Sequence, residues 1–255
     1  MSVQNLMNGL TGGVEIKVGM CYHPAMINTS KKYPDIPKKV FVEEFIKKSG
    51  ATPVSNPSAI FMAGLPGAGK TEFSKNLVEI VGGAKAVRID MDEIASQIKD
   101  YTPEKANEFR EPATRLLNGI LDRVLREKME FVLDGTFGSR NAIKNIERAI
   151  NHGYSAKIVY IVQDPRRAWD FTIAREKVEH RSITQDGFIE AYFNIIKNIT
   201  EMSPLLKKYD KITLDIVWKN EKNLIESWSH NVKEGIDKLL ETSYNNKTLK
   251  EYIND

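Results

Sequence analysis

Apolar residues along this chain recur in two rhythms. Short continuous runs read as buried strands: Ala59-Ile60-Phe61-Met62-Ala63, Ala86-Val87-Arg88-Ile89, Phe131-Val132-Leu133, Ile158-Val159-Tyr160-Ile161-Val162 and Ile212 to Val217. Between them, apolar residues return every three or four positions, which predicts helices. After Thr71 the set is Phe73, Leu77, Val78 and Val81, stopped by Gly82-Gly83. Thr102-Pro103-Glu104 opens a helix to about Lys128 that turns Leu116, Leu117, Ile120, Leu121, Val124 and Leu125 inward. Ser139 caps a helix carrying Ile143, Ile146 and Ile150 and closed by Gly153; Asp164-Pro165 opens another, and a further one begins near Thr184.

Strands alternating with helices predict a parallel sheet covered on both faces. The expected fold is α/β: a three-layer sandwich with a mostly parallel five-stranded sheet and a helical lid. Three regions follow: an N-terminal appendage over 1–56, a core over 57–217 with its lid at about 176–200, and a C-terminal helix and tail over 218–255. Glycines and prolines punctuate the appendage, around one helix with Phe41, Val42, Phe45 and Ile46 on a face. The terminal helix is read from Leu224, Ile225, Trp228, Val232, Ile236, Leu239 and Leu240; the polar stretch after about Tyr244 is expected to fray.

Between the first strand and its helix lies Gly64-Leu65-Pro66-Gly67-Ala68-Gly69-Lys70-Thr71, followed by Glu72. It fits the phosphate-loop pattern G-x-x-x-x-G-K-[ST] at each fixed position. The glycines let successive N–H groups converge on a phosphate, and the helix N-terminus adds positive potential. Lys70 supplies a charge for the β- and γ-phosphates, and the Thr71 hydroxyl suits Mg²⁺.

The acids come at strand ends, where open parallel sheets bind ligands. Asp90 and Asp92 follow the second strand, and either could take a proton from an acceptor hydroxyl, hold a metal or cap the next helix. Position favours Asp92 as the base. Asp134 ends the third strand, placed to ligate metal, and Thr136 after Gly135 offers a hydroxyl to a ligand. Arg166, Arg167, Arg175 and Arg181 follow the fourth strand. Guanidinium groups meet the charge of a transferring phosphoryl group, and Arg175 and Arg181 flank the lid segment. The fourth strand leads to Gln163-Asp164-Pro165-Arg166 rather than to a guanine-reading N-K-x-D segment, which argues against a GTPase.

Composition narrows this little. Hydrophobic residues are 41% and charged residues 28%, ordinary for a globular protein. A net charge of +3 argues weakly against a long nucleic-acid substrate. The single cysteine, Cys21, excludes an intrachain disulfide and fits a reducing cytoplasm. No secretory signal or membrane-length apolar run is read, so a cytoplasmic location is expected.

The phosphate loop, Arg88-Ile89-Asp90-Met91-Asp92, Val132-Leu133-Asp134-Gly135-Thr136-Phe137 and the lid segment Ala174 to Ile183 together resemble the zeta toxin family of bacterial small-molecule kinases. The resemblance implies transfer of phosphate from ATP or GTP, with Mg²⁺, to a sugar hydroxyl of UDP-N-acetylglucosamine, and restraint by an antitoxin protein. It implies that Lys70 and Thr71 hold nucleotide and metal and that Asp92 is the catalytic base. It also implies substrate-side positions for Asp134 and Thr136, where a glutamate is more familiar, and phosphate-neutralising roles for Arg175 and Arg181. Two other readings stand beside it. One is a kinase of the same fold acting on a nucleic-acid 5′ end, nucleoside, cofactor or antibiotic. The other is a nucleotide-gated binding module.

Overall fold

The computed structural model describes residues 37–80, 86–179 and 182–255, the backbone alone at 76–80 and 179. Arg181 and the Gly82-Gly83 helix stop lie outside the described residues, as do the side chains of Leu77 and Val78. The strands are β1 (Ser58–Gly64), β2 (Val87–Asp90), β3 (Phe131–Asp134), β4 (Ser155–Val162), β5 (Ile212–Lys219) and β6 (Ile225–Ser229). They form one six-stranded sheet in the order β2-β3-β1-β4-β5-β6. The first five are mutually parallel, and β6 returns antiparallel to β5. β1 is central and buried along nearly its whole length, which is why it reads as an unbroken apolar run.

The helices are α1 (Lys38–Ser49), α2 (Lys70–Ile80), α3 (Met91–Ser96), α4 (Ala106–Glu127, after a 3₁₀ turn Pro103–Lys105), α5 (Ala142–Asn151), α6 (Pro165–Glu179), α7 (Gln185–Glu201), α8 (Ser203–Lys208), α9 (Ile236–Leu239) and α10 (Asn246–Tyr252). Right-handed crossovers put α2, which joins β1 to β2, on one face of the sheet. The connections from β2 to β3, β3 to β4 and β4 to β5 run the other way across the sheet, so their helices take the opposite face. The β1 connection therefore diverges from those of both neighbouring strands, opening a crevice at their carboxyl ends. Phe131 meets Phe61 edge-on at 5.7 Å and Tyr154 at 5.6 Å between ring centroids, locking β1, β3 and the start of β4 together. The buried Tyr154 hydroxyl lies 2.8 Å from the Val124 carbonyl and 2.9 Å from that of Met129, so it meets the carboxyl end of α4 and the backbone just beyond.

Three expectations are corrected. The sheet has six strands rather than five. The sixth occupies the first part of the expected C-terminal helix, where Leu224, Ile225 and Trp228 are largely exposed. Helical spacing there is overridden by a hairpin turn: Asn220 Oδ1 accepts from the N–H groups of Lys222 and Leu224, and Asn223 adopts φ 60°. Asp215 on β5 then holds the returning strand through the Asn231 N–H at 3.0 Å and Trp228 Nε1 at 3.3 Å. Lastly, the chain after Tyr244 forms α10. A reciprocal cap between Asn245 and Thr248 starts it, and Leu249 and Ile253 are buried. At the other end, α1 lies within the expected appendage but packs on the core. Its Val42, Phe45 and Ile46 join the common core, and Val54 N–H bonds to the Lys128 carbonyl at 3.0 Å.

Candidate active site

The phosphate loop connects β1 to the first turn of α2, so its N–H groups and the helix dipole face the crevice. Gly67 has φ +79°, and a Cβ there would lie 2.1 Å from the carbonyl oxygen of Ala168 on α6. The bare glycine thus lets α6 pack directly on the loop. Gly69 has φ +78°, and its Cβ would lie 2.3 Å from Lys219 Nζ. Lys219, from the end of β5, therefore presses an ammonium group against the loop backbone. That ammonium donates to Asn223 Oδ1 at 3.0 Å. The buried Gln163 holds Asn223 from the end of β4, at 3.3 Å. The same Gln163 donates to the Asn220 carbonyl at 3.2 Å. Burial lowers the Lys219 ammonium below its usual range, opposed by Glu72.

Lys70 donates to the Leu65 carbonyl across the loop at 2.6 Å. Desolvation lowers its pKa to about 8, with Asp134 opposing that fall and Arg175 adding to it. Lys70, Asp134 and Arg175 thus share one electrostatic neighbourhood although they come from α2, β3 and α6.

Asp90 and Asp92 part company. Asp90 Oδ1 accepts from the Asp92 N–H at 2.8 Å and the Glu93 N–H at 3.4 Å, so it caps α3. Its other oxygen is held by Arg88. Asp92 projects from the first turn of α3, 58% accessible, with Arg175 Nη2 at 3.7 Å from Oδ2. Desolvation raises its carboxyl above the usual range; Arg175 works against that rise and Asp134 adds to it. A carboxylate with raised pKa is a better proton acceptor than an ordinary surface acid.

Asp134 is buried at the end of β3. Its Oδ2 accepts from the Ser74 hydroxyl at 2.7 Å and from Arg88 Nη2 at 2.8 Å. Arg88 Nε donates to Ser74 Oγ at 3.2 Å, and Nη1 reaches Glu93 at 2.6 Å. One guanidinium on β2 therefore orients Asp90, Glu93 and Asp134 together. Arg88 and Ser74 were not read from the sequence as site residues. The available signal was the alternation that puts Arg88 and Asp90 on one side of β2.

The Thr136 carbonyl accepts from the Gly64 N–H at 3.1 Å, and its hydroxyl accepts from the Gly138 N–H at 3.2 Å. Thr136 thus fastens the turn after β3 to the start of the phosphate loop. Arg167 reaches Asp170 and Glu221, each at 3.9 Å, and Arg166 is engaged by the last helix.

Thr71 and Asp134 supply hard oxygen donors, the chemistry Mg²⁺ selects. Among the described residues no cluster of three or more His, Cys, Asp or Glu side chains could hold a metal. A cation that keeps its waters and takes phosphate oxygens needs no such cage, so the donor set fits Mg²⁺ bound together with a nucleotide. Among the described residues, no helix is long and apolar enough to cross a membrane.

Solved structures share this architecture. One, from the PezAT chromosomal toxin-antitoxin system of the human pathogen Streptococcus pneumoniae, aligns over 87% of this chain and 94% of its own, with TM-score 0.63 and 18% identity. Another, the AvrRxo1-ORF1:-ORF2 complex, covers 86% of this chain and 73% of that one, with TM-score 0.59 and 12% identity. At such identities the likeness shows the fold. Among curated proteins no sequence matches. The zeta toxin family model matches residues 43–232, from the middle of α1 to beyond β6. The chain belongs to the zeta toxin family and is a nucleotide-dependent phosphotransferase of the phosphate-loop kinase fold.

Proposed function

We propose that the protein moves the γ-phosphoryl group of ATP, or GTP, to a hydroxyl of a small molecule, with UDP-N-acetylglucosamine the first acceptor to test. The observation that carries this reading is the meeting of Asp92 and Arg175 at 3.7 Å in the electrostatic neighbourhood of Lys70. A nucleotide switch needs no hydroxyl base; a kinase needs one beside the cations that face the transferring phosphate.

In this mechanism the loop N–H groups and Lys70 hold the β- and γ-phosphates. Asp92 accepts the acceptor's proton at a carboxylate oxygen as its hydroxyl approaches the γ-phosphorus. Arg175 meets the charge growing on the equatorial oxygens, and Arg181 is assigned the same task by family resemblance. Thr71 and Asp134 would hold Mg²⁺, which supplies charge neutralisation on the phosphates when bound. Lys219 braces the loop at Gly69 on the β5 side. Asp134 and Thr136 border the acceptor side. Dependence on ATP supports a cytoplasmic location. The toxin-antitoxin origin of the PezAT structure supports an antitoxin as protein partner.

The test is to incubate the protein with ATP, Mg²⁺ and UDP-N-acetylglucosamine, and in parallel with a pooled metabolite extract and a 5′-hydroxyl oligonucleotide. Mass spectrometry then finds which species gains one phosphate. Asp92→Asn should bind ATP normally and transfer about 10²–10⁴-fold more slowly. Phosphorylation of another acceptor alone would replace the sugar nucleotide. Absence of any acceptor, with ATP binding intact, would favour the binding-module reading.

A further inference from the structure

Arg166 occupies the first turn of α6, where the helix dipole disfavours a cation. The last helix explains it. Arg166 Nε donates to the Tyr252 carbonyl at 2.8 Å, and its guanidinium lies 4.5 Å from the Tyr252 ring centroid. The Tyr252 hydroxyl donates to Asp164 Oδ2 at 2.7 Å, while Asp164 Oδ1 accepts from the Arg167 N–H at 3.1 Å. One carboxylate thus caps α6 and is gripped by α10. The same helix also reaches the start of α7. Lys250 meets Asp186 at 3.0 Å, and Gln185 donates to Asn254 Oδ1 at 2.7 Å. Leu249 and Ile253, both buried, anchor α10 while these polar contacts form. Residues 233–255 lie beyond the family match, which ends at 232.

We propose that α10 is a clip that fixes the pose of α6 over the phosphate loop, and that Tyr252 is a positioning residue for Arg175. The inference rests on the phosphotransferase reading above. α6 has two relevant contacts along its length: the Ala168 carbonyl against Gly67, and Arg175 against Asp92. Arg175 stands ten residues from Pro165, about 15 Å along the axis at 1.5 Å per residue. A tilt of about 5° at the clipped end moves Arg175 by about 1 Å over that lever arm. A misplacement of that size costs phosphoryl transfer on the order of 10²-fold, whereas nucleotide held by the loop N–H groups is little affected. Tyr252→Phe keeps the ring under Arg166 and the backbone carbonyl, and removes only the bond to Asp164.

The test measures ADP release with ATP, Mg²⁺ and the acceptor that the metabolite assay identifies, UDP-N-acetylglucosamine first, in the full chain for four proteins: wild type, Tyr252→Phe, Arg175→Ala and the double variant. Tyr252→Phe should lower kcat about five- to tenfold, leave KM for ATP within about twofold, and lose its effect in the Arg175→Ala background. An unchanged kcat, or an equal drop in both backgrounds, overturns the inference. Amide hydrogen exchange over α6 reads the same clip without turnover. Tyr252→Phe should speed exchange along α6 while leaving β1 and β4 protected; unchanged exchange in α6 overturns the clip. A wild-type protein that releases no ADP with UDP-N-acetylglucosamine or with the pooled metabolite extract, while α6 exchange responds, would instead sink the phosphotransferase reading and leave the clip standing.

Discussion

Nucleotide affinity should fall with rising pH because of Lys70. In the free protein desolvation lowers the Lys70 pKa to about 8, despite the opposing field of Asp134. A bound triphosphate brings several negative charges to the ammonium, which pushes that pKa back to the ordinary lysine value of about 10.4 or above. The sign follows from which form binds. Protonated Lys70 attracts phosphate and neutral Lys70 does not, so affinity is full below the free-state pKa and declines above it. With a bound-state pKa at least two units above the free-state one, the loss between about pH 7.5 and about pH 9 is roughly eightfold, or about 1.2 kcal/mol. Calorimetry with a non-hydrolysable ATP analogue at four or five pH values measures it directly. Lys70→Arg keeps its charge throughout this range and should give a flat profile, whatever its absolute affinity. A flat profile in the wild type would show that Lys70 is not the desolvated, phosphate-facing cation argued above. An equal slope in Lys70→Arg would assign the titration to another group.

Four further outcomes check the geometry. Gly67→Ala puts a Cβ 2.1 Å from the Ala168 carbonyl at φ +79°, so ATP binding by calorimetry should weaken at least about tenfold; normal affinity would show that α6 does not need this close approach. Arg175→Ala should lower kcat by about 10²–10³ while ATP affinity stays within about threefold, and parallel losses in steady-state kinetics would make it a ground-state contact instead. Lys219→Ala should raise KM for nucleotide about three- to tenfold with kcat little changed, and a fall in kcat alone would move its role to the transferring phosphate. Asp215 resists the rise that burial alone would cause because Asn231 N–H, Lys157 and His230 hold it ionised, so its pKa lies below the ordinary value. Its stabilising contribution is present above the unfolded carboxylate pKa and lost as pH falls through the lower folded one; unfolding free energies from urea titrations of wild type and Asp215→Asn should therefore differ by about 1–3 kcal/mol at neutral pH, a gap that closes as the pH falls below the ordinary carboxylate range.

The parallel part of the fold was legible because its inner strands are buried on both faces for most of their length and must be written as apolar runs, as β1 and β4 are. The phosphate loop was legible for a related reason. Its function lies in consecutive backbone groups, so the constraint falls on consecutive letters. Asp92 and Asp134 could be proposed because strand ends in a parallel sheet converge on one edge. Arg88 and Ser74 could not, because their roles depend on β2, β3 and α2 meeting side by side. An arginine inside an apolar strand is nevertheless a local signal. A buried guanidinium needs acidic partners, and the two acids at positions 90 and 134 end adjacent strands, paired in register.

The C-terminal region misled for a different physical reason. Leu224, Ile225, Trp228 and Val232 have helical spacing, but periodicity says only which residues could share a face, not whether a face awaits them. Here β5 offered an open edge, and the Asn220 to Asn223 turn brought the chain back along it before a helix could pay its nucleation cost. Further on, α10 has few apolar anchors, chiefly Leu249 and Ile253. By composition such a segment frays. It is held instead by hydrogen bonds and ion pairs to residues more than 60 positions away, at Asp164, Arg166, Gln185 and Asp186. Polar contacts of that kind leave no periodic trace in a sequence, since their partners lie on other elements. One residue did carry a warning. Arg166, set against the dipole of its own helix, required an external acceptor, and the carboxyl end of α10 supplies it.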